Sequence, residues 1–247
     1  MMEAGAIVYE TLQAVKAAVQ PGIPTMELEL IAEEIIVKKH GAKPSFKGYN
    51  GFPYILCVSV DDVVVHGFPS KRTILKEGQI VGIDCGAMVG GYHGDSALTV
   101  GVGEISPQAD ELIRVTEEAF WLGADKARDG GRVQDIGHAV QEHCAKHGFD
   151  VVRALCGHGV GQELHEDPEV VNYGIAGRGV RLGAGMTIAI EPMVVTGKYP
   201  VYTASDGWTV KTRDGGLCAH YEHSVFITPG GGRPQILTMP EQPEGWL

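Results

Sequence analysis

The sequence predicts an α/β (α+β) fold in two similar halves, each a pair of helices followed by antiparallel strands. Three observations carry that prediction. Apolar residues recur at threes and fours in four segments, the mark of amphipathic helices. The text between and after the helix pairs is rich in β-branched residues broken by turn pairs, the mark of short strands. Finally, strings recur at one offset. Lys39-His40-Gly41 returns as Lys146-His147-Gly148, and Leu75…Gly78…Ile83-Asp84 returns as Leu182…Gly185…Ile190-Glu191, in both cases 107 positions on (from 41 to 148 and from 84 to 191).

The elements follow in order. A first helix over residues 3–19 places Ala4, Ile7, Val8, Leu12, Val15 and Val19 on one face, and Pro21-Gly22 stops it. Thr25 is read as the N-cap of a second helix, with Glu27 and Glu29 in its first turn and its end near His40-Gly41. Residues 55–100 read as antiparallel strands. Ser106 caps a third helix with Pro107 at its first position, carrying Leu112, Val115, Ala119 and Leu122. A fourth helix over 132–147 carries Val133, Ile136, Val140 and Cys144, and a second strand-rich region runs to Leu237. The tail 240–247 reads as loose. The expectation is one domain over 1–247, with internal halves of about 3–104 and 105–239, whose pseudo-twofold axis gathers equivalent strand ends and their acids.

Composition excludes several classes. The chain has 247 residues, a formal net charge of −11 and a pI near 5.3, so its field repels phosphate backbones and no specific nucleic acid is expected as partner. No run approaches ~18 consecutive apolar residues, so no membrane partner is expected. The opening Met1-Met2-Glu3-Ala4 puts an acid where an export signal carries a base. The five cysteines show no Cys-x-x-Cys spacing, which fits reduced thiols in a cytoplasmic protein.

The chemistry concentrates in a few acids and histidines. Residues 80–100 read as a hairpin turning at Val89-Gly90, a register that sets Asp84 directly opposite Asp95. Two acids that close cannot both ionise cheaply, and a divalent cation reverses the balance. Glu191 ends the apolar run Met186-Thr187-Ile188-Ala189-Ile190 with no base nearby, and Glu222 lies in another half-apolar strand. His158 stands between Gly157 and Gly159, which let the backbone approach another element closely. His66 ends a strand and His165 precedes Glu166-Asp167-Pro168. The helical pair His143 and His147, like His40 and His138, reads as a solvated helix face rather than a zinc pair. Asp84, Asp95, His158, Glu191 and Glu222 together form an oxygen-rich set with one nitrogen, suited to manganese, iron, cobalt, magnesium or zinc. Four carboxylates carry −4, which two divalent ions neutralise, and such a pair activates water for hydrolysis.

The strings that hold these residues resemble type I methionine aminopeptidases, of the pita-bread, creatinase-like fold. They are Val58-Ser59-Val60-Asp61-Asp62-Val63-Val64-Val65-His66-Gly67, Ile83-Asp84, His93-Gly94-Asp95, Cys156-Gly157-His158-Gly159-Val160-Gly161, Leu164-His165-Glu166-Asp167-Pro168, Ile190-Glu191-Pro192-Met193, Asp206-Gly207-Trp208 and Tyr221-Glu222-His223. The resemblance implies a curved antiparallel sheet with helices on its outer face. It implies removal of N-terminal methionine from nascent polypeptides with a small second residue, by attack of a metal-bridging hydroxide on the first peptide bond. By the same resemblance Asp84, Asp95, His158, Glu191 and Glu222 hold two divalent ions (cobalt, manganese, iron or zinc), with Asp95 and Glu222 bridging. His66, His165 and Glu191 are then catalytic, and His66 and His165 contact the substrate. Tyr49, Phe52, Cys57 and Trp208, with Phe46 nearby, form the methionine pocket.

The sequence departs from the family pattern at Leu164, at His220, and at Asp61 and Cys218 near a monovalent-cation site that the resemblance implies. The expected partners are N-termini of nascent chains near the ribosome, and the chain is expected to be a monomer. A proline-specific peptidase of the same fold would carry a further N-terminal domain, for which a helix starting at residue 3 leaves no room. A catalytically silent RNA-binding relative would have lost acids and gained basic surface.

Overall fold

The computed structural model describes residues 1–241, so the tail expected over 240–247 lies mostly outside the described residues. Helix α1 (Met2–Ala18) buries Ile7, Val8, Leu12 and Val15, as its periodicity requires. Helix α2 (Thr25–Ala32) runs on into a π-helical segment, Glu33–Lys39, in which His40 N–H donates to Ile35 O. The sequence expected Thr25 to cap α2. Instead Pro24 holds the cap position, and the Thr25 hydroxyl donates to Ser70 O (3.2 Å) and accepts from Ser70 N–H (2.9 Å). A tertiary partner has displaced the local cap. Helix α3 (Pro107–Lys126) starts as expected, with Ser106 Oγ accepting from Ala109 N–H, and α4 spans Val133–Lys146.

The strands of the first half are β1 (Lys43–Pro44), β2 (Leu56–Val60), β3 (Val63–Val65), β4 (Ile80–Val89) and β5 (Tyr92–Gly101). The rest follow α4: β6 (Asp150–Val151), β7 (Gly157–Gly159), β8 (Glu166–Val170), β9 (Thr187–Ile190), β10 (Met193–Val195), β11 (Val201–Thr203), β12 (Val210–Thr212), β13 (Cys218–His220), β14 (Glu222–Phe226) and β15 (Gln235–Ile236). One antiparallel sheet runs β1-β4-β5-β14-β9-β7-β8, with β2 also paired to β4 and β15 to β14. Two smaller sheets, β13-β10-β6 and β11-β12-β3, lie beside it.

The repeat is visible in hydrogen bonds as well as in letters. In the first half Gly22 N–H donates to Leu75 O and Leu75 N–H donates to Ile23 O. In the second, Gly130 N–H donates to Leu182 O and Leu182 N–H donates to Gly131 O. Each helix–helix turn therefore clips the loop that leads into its β4 or β9. The two repeats meet where β5 pairs with β14.

Alternation sorts the faces of this sheet. Val81, Ile83, Cys85 and Ala87 of β4 pack in one cluster with Ile7, Val8 and Leu12 of α1, and Ile188 and Ile190 of β9 pack with Phe120 and Ile136 of α3 and α4. Both helix pairs thus cover one face, and the side chains between these positions point the other way. One acid is buried on the helix side: Glu29 of α2 accepts from Ile55 N–H (2.8 Å) and Leu56 N–H (2.9 Å) and so fixes the start of β2. Burial pushes its carboxyl above the usual range despite those two donors.

The β4–β5 hairpin corrects one expectation. Val89 pairs with Tyr92, so the turn is Gly90-Gly91, and Asp84 pairs with Ala97 while Asp95 pairs with Gly86. Asp84 and Asp95 are diagonal neighbours rather than directly opposed. The reason lies in turn chemistry: a two-residue turn of this kind needs two left-handed residues, which Gly90 (φ +59°) and Gly91 (φ +83°) supply and Val89 would resist. The register differs from the expected one by an even step, so both aspartates stay on one face.

Candidate metal centre

Register alone brings the acids together. Asp84 on β4 is opposite Ala97 on β5, and Ala97 is opposite Glu222 on β14. Asp95 lies two residues along β5 on the same face. Ile190 pairs with His223, so Glu191, the next residue, continues that register beside Glu222. His158 of β7 joins from the far side, its neighbour Gly159 paired with Ile188. The flanking glycines are needed: a Cβ on Gly157 would lie 2.2 Å from Ala189 O, and one on Gly159 would lie 2.2 Å from Asp167 O. The five residues expected from the sequence therefore converge on the helix-free face.

Distances inside the cluster are those of groups that share something between them. His158 Nε2 is 3.9 Å from Asp95 Oδ2 and 3.7 Å from Glu191 Oε1. Asp84 Oδ1, Asp95 Oδ1 and Glu222 Oε1 are buried with no hydrogen-bond partner among the described residues. Native proteins seldom leave such atoms orphaned unless an ion or water meets them. Burial pushes Asp84 well above the usual carboxylate range, aided by Asp95. It does the same to Glu191, aided by Asp84 and Asp95, and to Glu222, aided by Asp95, Glu191 and Asp84. Asp95 is raised to about 7, and burial lowers His158 to about 4, with His165 adding to the effect. Four acids and a neutral imidazole are an electrostatic deficit that divalent cations would relieve.

The cluster forms the floor of a cavity of about 290 Å³. Among the described residues no lysine or arginine lines it. Its wall is the apolar group Phe46, Phe52, Cys57 and Leu164, with Tyr49 and Trp208 packed against it. The Phe52 and Trp208 rings meet edge to face at 5.1 Å, and Trp208 is held by Asp206, whose carboxylate accepts from Trp208 N–H and Thr209 N–H. Both histidines expected in the cleft are there. His66 sits at φ +59°, a left-handed conformation uncommon outside glycine, which aims its ring at Trp208 (6.1 Å). His165 lies at the mouth, 4.2 Å from the His158 ring, and its Nδ1 is 2.8 Å from the Tyr49 hydroxyl. Burial lowers both pKa values, with His165 contributing to the shift of His66 and His93 to that of His165, which favours neutral rings, each with one donor and one acceptor nitrogen.

Some residues have places that sequence reasoning missed. His220, a departure from the family pattern to which the sequence assigned no role, brings its Nε2 to 3.6 Å from Glu191 Oε2 and 3.7 Å from Glu222 Oε2. Its two-residue spacing from Glu222 was the available signal. Asn172 is fully buried and donates from Nδ2 to Glu191 O (2.9 Å), and nothing local in the sequence marks it. The Asp61 carboxylate is occupied by Gln79 Nε2 (2.6 Å) and Ile80 N–H (3.1 Å), and Cys218 N–H donates to Asp61 O. Of the histidines read as solvated helix faces, His40 and His138 are exposed as expected, His40 bonding Glu10 of α1 and His138 contacting Gly174 O. His143 and His147 are instead half-buried, bonding Glu118 and Glu111 across the α3–α4 seam, partners on another helix that helical spacing does not reveal.

Comparison with known proteins agrees with this geometry. The profile of metallopeptidase family M24 matches residues 1–229. The methionine aminopeptidase of Clostridium acetobutylicum is 52% identical over 241 residues, 98% of this chain and 95% of that protein. Methionine aminopeptidase 1 of Bacillus subtilis is 52% identical over 231 residues, covering 94% of this chain and 92% of its own. Among solved structures, the methionine aminopeptidase of Thermotoga maritima superposes with a TM-score of 0.93 at 46% identity, over 96% of this chain and 94% of that one. The prolidase of Pyrococcus furiosus shares the fold, with a TM-score of 0.75 at 24% identity over 98% of this chain and 63% of its own.

Proposed function

Because this chain belongs to metallopeptidase family M24 and, within it, to the methionine aminopeptidases, we propose that it removes N-terminal methionine with two divalent cations held by Asp84, Asp95, His158, Glu191 and Glu222. It is a metal-dependent hydrolase on the pita-bread fold. The observation that carries the site assignment is the convergence of these five side chains, three of them with orphaned oxygens, beside an apolar pocket in one cavity. Two groups of close ligand atoms share Glu222, one with Asp95 and His158 and the other with Asp84 and His220, which supports two ions rather than one. Oxygen donors with imidazole suit cobalt, manganese, iron or zinc.

Divalent ions bound there would supply a water of lowered pKa and polarise the peptide carbonyl. The remaining work falls to the chain's own residues. With the Tyr49 hydroxyl donating to Nδ1, His165 keeps its proton on Nε2 and donates it as a hydrogen bond to the carbonyl oxygen as charge develops. His66 holds the amide nitrogen, and Glu191 accepts a proton and returns it to the leaving amine. Phe46, Tyr49, Phe52, Cys57 and Trp208 receive the methionine side chain, whose polarizable sulfur packs well on rings and a thiol. The substrates we assign are N-termini of nascent polypeptides with a small second residue, met by a monomer near the ribosome in the cytoplasm. The unpaired state of all five cysteines supports a reducing compartment. No helix among the described residues is long and apolar enough to cross a membrane.

The test is release of methionine from Met-Ala-Ser by protein with and without a chelator, alongside Asp84→Asn. Metal-dependent release that Asp84→Asn abolishes is expected. No release by the metal-supplied protein, or undiminished release by the variant, would overturn the assignment.

A further inference from the structure

His220 is built into the centre, although nothing in the chemistry above requires it. Its backbone is clamped on both sides by one side chain: Thr99 Oγ1 accepts from His220 N–H (2.9 Å) and donates to His220 O (2.9 Å). Pairing with Met193 across β10 and β13 fixes the same residue from a third direction. The residue is 4% exposed, and among the described residues its Nε2 is buried with no hydrogen-bond partner.

The spacing around that nitrogen is informative. At 3.6 Å from Glu191 Oε2 and 3.7 Å from Glu222 Oε2, it is beyond hydrogen-bond reach of either. Two donors ~2.1 Å from one ion, at the angles of tetrahedral to octahedral sites, lie roughly 3.0–3.4 Å apart, a few tenths of an ångström inside the spacing here. His158 stands in the same relation to its own carboxylates, at 3.7 Å and 3.9 Å. The two imidazoles bracket Glu191, one facing Oε1 and the other Oε2. Asp84, His220 and Glu222 offer ligand atoms that all lie within 4.8 Å of one another, as do Asp95, His158 and Glu222.

Resting on the two-ion reading above, we infer that His220 Nε2 is a nitrogen ligand of the ion held between Asp84 and Glu222. Each ion then has one imidazole. The second position, otherwise all carboxylate, gains a donor that favours iron, cobalt, nickel or zinc over magnesium and manganese.

Cobalt(II) tests this without reference to turnover. A ligand histidine bound through Nε2 shows its Nδ1–H as a strongly shifted, solvent-exchangeable proton signal, and His158 provides the reference, its Nδ1 lying 2.8 Å from Gly159 O. Spectra are taken on the full chain in a His143→Ala background, so that the Glu118–His143–His147 group on the α3–α4 seam adds no signal. Two such signals are expected after two equivalents of cobalt. His220→Gln and His220→Asn should each remove one and weaken the second equivalent by at least ~10-fold. A single signal in the folded His143→Ala parent overturns the inference, as does a second equivalent bound equally tightly by either folded His220 variant. Failure of the parent to bind cobalt at all would instead sink the two-ion reading on which the inference rests.

Discussion

Asp84 and Glu222 occupy one cross-strand row and are separated in it by a single methyl group, that of Ala97. The small residue leaves the space between two acids that would otherwise be filled. Ala97→Val suits a strand and should fold, but its added methyls enter that space. Overpacking costs ~1–3 kcal/mol, so divalent-ion affinity measured by equilibrium dialysis should fall by roughly tenfold or more. Unchanged affinity would show that the gap is not where the ions sit.

Tyr49 and His165 form the second relationship of consequence, through one 2.8 Å hydrogen bond. Tyr49→Phe keeps the ring in the pocket wall and removes the hydroxyl. The loss of ~0.5–1.5 kcal/mol should lower kcat by about 2–13-fold while metal content stays at the parent level. A fall in metal content would mean that Tyr49 supports the centre and not His165.

Protonation of the acid cluster should govern the stability of chelated protein. The folded-state pKa values of Asp84, Asp95, Glu191 and Glu222 all lie above their ordinary values. Between those limits the folded chain binds more protons than the unfolded one, so this contribution is complete below the ordinary carboxylate range and is lost as pH rises through the folded values, about 7 for Asp95. In the presence of chelator Tm should fall by at least ~2–4 °C from pH 5 to pH 8, and added divalent ions should flatten that slope. A chelated Tm that rises with pH would contradict the burial of these acids.

Glu29 makes a prediction far from the chemistry. It satisfies two buried amides, those of Ile55 and Leu56, just before Cys57 enters the pocket. Glu29→Ala leaves both unpaired at ~1–3 kcal/mol each, so urea unfolding should show a loss of roughly 2–6 kcal/mol. Glu29→Gln, which retains one acceptor, should lose less.

The helices and the faces of the strands were legible because each follows from spacing along one segment, whereas the five acid and imidazole positions were legible as a set only through the motif strings that resemble a known family. The 107-residue repeat told which strand ends would meet, and glycines either side of His158 told where backbones would touch. What escaped were properties that depend on a second segment. Thr25 was claimed by Ser70 rather than by its own helix, and His143 was held by Glu118 on a neighbouring helix. The hairpin register depended on which two residues tolerate left-handed backbone, a detail that the alternation of apolar residues does not encode. His220 and Asn172 acquire meaning only once β13 and the loop after β8 are laid beside Glu191.

The central claim concerns how many cations the carboxylate face holds and through which side chains. Equilibrium dialysis against cobalt(II), followed by metal analysis of His143→Ala protein as parent and of the same protein carrying Asp84→Asn, measures it directly, with the α3–α4 seam group removed from the count. Two tightly held ions per parent chain and no more than one in the variant are expected. A parent chain holding none, or a variant that still holds two, would contradict it.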